Sequence, residues 1–110
     1  MAGKKDEVKD SERYSIITPD LNHCYICGSD KVYLHECIHG TAGRKKSKSD
    51  GLVIPVCGVC HSNIHNKPTL DLRIKQMAEK VWLDTYTYKG KSMEDRIQEF
   101  IDKYGINYLD

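Results

Sequence analysis

Two Cys-x-x-Cys pairs, Cys24-Tyr25-Ile26-Cys27 and Cys57-Gly58-Val59-Cys60, are the residues best placed by type and spacing to do chemistry. A turn of this length aims two sulfurs at one point, and two turns together supply the four thiolates of a closed tetrahedral zinc site. The pairs frame a segment long enough for two strands and a connection, which favours a metal site over a lone redox dithiol. Cys37 is left over, and its mid-strand position reads as a buried, chemically silent thiol.

The second pair runs directly into His61 and His65. Residues four apart share one helix face, with side chains about 6 Å from each other, so both imidazoles can serve one ion. Neighbours such as Cys60 and His61 diverge by about 100° around a helix, which sends the cysteine to one ion and the histidine to another. A single mixed Cys/His finger is the competing arrangement, but four cysteines already fill a tetrahedron. His35 and His39 precede this helix in sequence, where a strand could carry them to the same site. A histidine near neutral pKa can take a proton from water, and a cation opposite stabilises charge on a phosphate and its leaving oxygen. Arg44, Lys45, Lys46 and Lys48 lie between, suited to hold backbone phosphates.

These side chains need elements to position them. Lys31 to Ile38 alternates, with Val32, Leu34, Glu36 and Ile38 on one side and Tyr33, His35 and Cys37 on the other, which predicts a strand. His39 to Gly51, rich in Gly, Ser and Lys, predicts a loop, and residues 52–56 a short apolar strand whose Pro55 asks for an edge. A helix should start near Cys60 and end by Pro68. Leu70, Ile74, Met77, Ala78 and Val81 give residues 69–86 the spacing of an amphipathic helix. Ser92-Met93-Glu94-Asp95 starts another by a capping-box pattern, with Met93, Ile97, Phe100, Ile101 and Tyr104 on its apolar face and Gly105 as its stop. Residues 1–13 lack periodicity and predict a mobile arm, leaving residues 14–110 as one domain with a metal-bound core at about 22–67 and helices at about 69–104.

A chain of 110 residues with 39% hydrophobic content has a small core, to which a metal adds a tie. Its net charge of +1 conceals an uneven distribution, because residues 31–67 carry six basic and two acidic side chains. No apolar run approaches the roughly 18 residues of a membrane span, and MAGKKDEVKDSER lacks the apolar segment of a secretory signal, so a cytoplasmic protein with reduced thiols is expected.

The stretches C24YIC27G, L34HECIHGTAGRKKS47 and G51LVIPVCGVCHSNIHN66 together resemble the HNH, or His-Me finger, nucleases, and within them the small phage and prophage type similar to recombination-enhancement nucleases. F100IDKYGINYLD110 also looks like the end of such proteins. The resemblance implies an α+β fold with a treble-clef-like ββα-metal hairpin, a four-cysteine structural zinc and two packing helices. It implies a DNA endonuclease with His35 as general base and His61 and His65 as ligands of Mg²⁺ or another divalent cation. Alternatively His35 is a third ligand, with His39 or Glu36 contributing nearby. The middle asparagine of the family has no counterpart, since Gly43 stands in its loop and Gly51-Leu52 precede the second strand. A noncatalytic zinc-dependent DNA-binding module of a recombination or packaging apparatus, in contact with recombination proteins, is the other function this pattern allows.

Overall fold

The computed structural model describes residues 9–109, so residues 1–8 of the expected N-terminal arm lie outside the described residues. A short 3-10 turn at Asp10–Glu12 leads through an irregular segment of bends and the first cysteine turn into strand β1, Tyr33–Glu36. Then follow helix α1 (Thr41–Asp50), strand β2 (Val53–Val56), and helices α2 (Gly58–Asn66), α3 (Pro68–Tyr86) and α4 (Met93–Tyr104). Among the described residues the result is a small α+β arrangement, a two-stranded antiparallel sheet with four α-helices.

The strands pair with His35 opposite Ile54 and Leu34 opposite Pro55, and the Cys37 N–H donating to the Leu52 carbonyl (2.9 Å) extends the pairing. Pro55 is tolerated because a two-stranded sheet has only edge strands. Its carbonyl accepts the Tyr25 N–H at 2.8 Å, which ties the first cysteine turn to β2.

The expected loop between the strands is instead a ten-residue helix, α1. Local composition argues against it, because Gly43, Ser47 and Ser49 are poor helix formers, and tertiary contacts supply the difference. The Ser47 hydroxyl accepts the Ile38 N–H (2.9 Å) inside the core, and the Lys46 ammonium donates to the Lys103 carbonyl (2.6 Å) at the end of α4. Gly43 lets α1 lie on the end of β1, since a Cβ there would stand 3.2 Å from Ile38. Gly51 closes the helix in the left-handed conformation (φ 76°), and a Cβ would collide with the Tyr14 ring at 2.6 Å. Tyr14 in turn hydrogen-bonds the Ser49 carbonyl.

Asp50, the last residue of α1, fastens it to both C-terminal helices. One carboxylate oxygen accepts Trp82 Nε1–H (2.8 Å) and the Tyr104 hydroxyl (2.8 Å), and the other accepts the Lys103 ammonium (2.8 Å). Helix α4 begins and ends where its sequence indicates, with the Ser92 hydroxyl accepting the Asp95 N–H (3.1 Å) and Gly105 left-handed at its stop. Arg96, buried, caps the end of α3 by donating to Thr87 Oγ1 (2.8 Å) and the Leu83 carbonyl (3.3 Å). One continuous core joins Cys24, Cys57, Cys60 and Ile64 to Ile74, Trp82 and Phe100.

Candidate metal centre and histidine cluster

The four paired cysteines come together from two turns of like geometry. In the first, Cys24 Sγ accepts the Cys27 N–H (3.4 Å), with Gly28 completing the turn. In the second, Cys57 caps α2 and its Sγ accepts the Cys60 N–H (3.4 Å). Helix α2 thus starts at Gly58, ahead of the position expected from sequence, because a cysteine serves as its N-cap. All four sulfurs lie within 4.8 Å of one another, and Cys27 and Cys57 are 3.5 Å apart. Tetrahedral zinc with bonds near 2.3 Å needs sulfur separations of about 3.8 Å. These cysteines could therefore hold a metal ion such as zinc with little adjustment.

The electrostatics agree. Burial opposes a thiolate at Cys24, but the backbone N–H groups of Cys27, Cys57 and Ile26 outweigh it and hold the thiol at about 6. The Cys60 N–H lowers Cys57 in the same way. Burial and the adjacent thiols push Cys60 upward, since four negative charges cannot share one point without a cation. Cys37 is outside this group, fully enclosed, and its thiol is raised by burial.

Four histidines form a second cluster on the other side of α2. The His61 and His65 rings are 4.5 Å apart, with their Nε2 atoms at 3.2 Å. The His35 ring stands 5.3 Å from His61 and 6.1 Å from His65. His39, half-buried, is 5.9 Å from both His35 and His65. His35 is only 5% exposed, and its Nε2 has no hydrogen-bond partner. An enclosed nitrogen of this kind costs roughly 1–3 kcal/mol unless something meets it. Burial first, then the neighbouring imidazoles, lower His35 to about 4, so the ring is neutral at physiological pH. Among the described residues, only the cysteines bring three or more ligand atoms within 4.8 Å.

Glu36 is not part of this cluster. As the next residue along β1 its side chain leaves on the opposite face, where the carboxylate binds Arg13 (2.7 Å) and lies 3.9 Å from Arg44. The basic residues stand on a helix and not on the expected loop. Arg44 and Lys45 are exposed there, whereas Lys46 and Lys48 are half-buried.

Sequence reasoning missed Asp71. In the first turn of α3, one oxygen of its carboxylate accepts the Lys75 ammonium (2.8 Å) and the other meets His39 Nε2 at 2.9 Å. Burial raises its carboxyl, yet the hydrogen bonds from Lys75 and His39 prevail and hold it below the usual range. The sequence offers only an acid in a helix's first turn with a lysine four residues on, a pattern common on solvated helices.

Compared with protein-family models, curated proteins and solved structures, the chain matches none.

Proposed function

We propose that the protein is a metal-dependent endonuclease of the HNH type that hydrolyses DNA phosphodiester bonds, in phage or prophage recombination or DNA processing. The observation that carries this reading is the unshared, enclosed Nε2 of His35 beside the His61 and His65 pair. β1, β2 and α2, closed by the cysteine turns, then correspond to a treble-clef-like ββα-metal hairpin, with α1 inserted between its strands.

In this reading His61 and His65 hold the catalytic cation, and His35 Nε2 fits better as a third ligand than as the base, being enclosed with no proton donor at hand. Three imidazoles suit a transition-metal ion better than Mg²⁺, which prefers oxygen donors. Such an ion, when bound, stabilises the charge that builds on the phosphate and its leaving oxygen. His39, whose Nε2 is engaged by Asp71 and whose ring lies 5.9 Å from those of His35 and His65, retains Nδ1 as a lone pair that can join these ligands on the cation or take a proton from the attacking water. Arg44 and Lys45, exposed on α1, supply positive charge for the neighbouring phosphates.

Plasmid cleavage measured across Mg²⁺, Mn²⁺, Co²⁺ and Ni²⁺ tests the proposal. Native protein should cleave with at least one ion, and His35→Ala and His61→Ala should not. Equal behaviour of all three proteins refutes it. The second reading, a noncatalytic zinc-dependent DNA-binding module, is favoured by the cysteines being the only group among the described residues that brings three or more ligand atoms within 4.8 Å of one another. It predicts salt-dependent DNA affinity with no cleavage in any metal.

A further inference from the structure

Asp71 belongs to the helix that follows the finger, and it is the side chain through which that helix reaches the histidines. Its two oxygens are divided. Oδ1 meets His39 Nε2 at 2.9 Å and Oδ2 holds the Lys75 ammonium at 2.8 Å. With 18% of the Asp71 side chain and 29% of His39 accessible, water competes little for the pair. Lys75 is itself fixed, its ammonium 5.5 Å from the centre of the Tyr108 ring. Tyr108 is held from both sides of its backbone, its N–H donating to Glu79 Oε1 (2.7 Å) and its carbonyl accepting from Gln76 (2.9 Å). The carboxylate therefore has one position, set by the packed C-terminal segment.

An ionised carboxylate only accepts hydrogen bonds, so the histidine nitrogen that faces it must carry the proton. We propose that Asp71 is a positioning residue: it fixes His39 as the Nε2–H tautomer and leaves Nδ1 as the lone pair that ring offers to the histidine cluster. The inference rests on the nuclease reading only for what the lone pair is used for; the tautomer and its effect on cation binding stand apart from cleavage. A carboxylate behind an imidazole also raises the basicity of the nitrogen left free, and loss of such a partner commonly weakens metal binding about 10–100-fold.

The test uses ¹⁵N-labelled, zinc-loaded full chain, with imidazole ¹H–¹⁵N correlations to read the tautomer and Co²⁺ titration followed on the same histidine signals. Wild type should show His39 protonated at Nε2. In Asp71→Asn, of equal shape, the amide can donate to the ring, so His39 should move toward the Nδ1–H form and Co²⁺ affinity should fall about tenfold or more. Asp71→Ala, with no partner, should give a tautomer mixture and a similar loss. Trp82 fluorescence, remote from the site, should report a folded core in both. A His39 tautomer unmoved in both variants overturns the proposal, as does a Co²⁺ affinity that they leave unchanged or that wild type lacks. Wild type that binds Co²⁺ with the expected tautomer and cleaves no DNA defeats the nuclease reading alone. Wild type that cleaves DNA while the variants keep its tautomer defeats this inference alone.

Discussion

At the scale of single residues, adjacent side chains on α2 have separate fates. Cys60 is turned into the core with Cys24 and Cys57, beside the exposed Cys27, whereas His61 is half-exposed among imidazoles. Structural zinc sites contribute roughly 10–16 kcal/mol of binding free energy at neutral pH, comparable with the whole stability of a small domain, about 5–15 kcal/mol. Cys60→Ser is therefore expected to abolish stoichiometric zinc and leave no cooperative melt, while His61→Ala keeps both, as metal analysis and thermal unfolding will read. Glu79 provides a pH-dependent counterpart. It is fully buried, and while Oε1 accepts the Tyr108 N–H, Oε2 has no partner. Burial raises its carboxyl above the ordinary 4.5. The folded state thus binds this proton more tightly than the unfolded chain, and the stability it contributes is complete below the unfolded value and lost as pH rises through the folded one. Glu79→Gln keeps the acceptor for Tyr108 and removes the titration. Melting temperatures measured from pH 4 to 7 should show the variant gaining on wild type as pH rises, and a constant difference would exclude a shifted Glu79.

At the scale of elements, α1 shows where sequence reading stops. The Gly, Ser and Lys content of residues 41–50 signals a loop, and that signal is locally sound. The helix forms because Ser47, Lys46 and Asp50 spend their polar groups on partners 9 to 57 residues away, and no periodicity announces such partners. Helix α4, by contrast, carries its own cap, apolar stripe and stop, so its boundaries were legible residue by residue. The cysteine turns were legible for the same reason, their geometry being local. His35, His39, His61 and His65 could be gathered on paper by assuming a strand that crosses a helix, but Asp71, 32 residues beyond His39, could not. The dependence of α1 on Asp50 makes a prediction. Asp50→Ala leaves Trp82 Nε1 and the Tyr104 hydroxyl without their acceptor. Leaving these neutral donors unmet should cost about 1–3 kcal/mol each, while Lys103, more than a third exposed, turns to water. Urea unfolding followed at Trp82 should show the midpoint fall accordingly, and a loss below about 1 kcal/mol would mean that α1 is held by apolar contacts alone.

At the scale of the whole molecule, the cysteine site and the C-terminal helices share one core and do not form two. Cys24, Cys57 and Cys60 belong to the same buried cluster as Ile64, Ile74, Trp82 and Phe100, and the Tyr25 N–H and Asp50 carboxylate fix the sheet and α1 to what surrounds them. Among the described residues, no helix is long and apolar enough to cross a membrane. A small core of this kind would give a metal held by the cysteines leverage over distant parts. If zinc fills the cysteine site, its removal would leave four clustered thiols, two of them held low by backbone N–H groups, and repulsion among them would open the turns that close β2 and the start of α2. Helix α2 carries Ile64 into the core, so its loss uncovers the face on which α3 packs, and Trp82 should follow. Chelation by a strong zinc ligand is therefore expected to shift Trp82 emission to the red and to reduce helical circular dichroism in a single transition, reversed by adding zinc. Two separate transitions, with Trp82 still buried after zinc has left, would instead show that α3 and α4 pair independently through Asp50, Arg96 and their aromatic contacts.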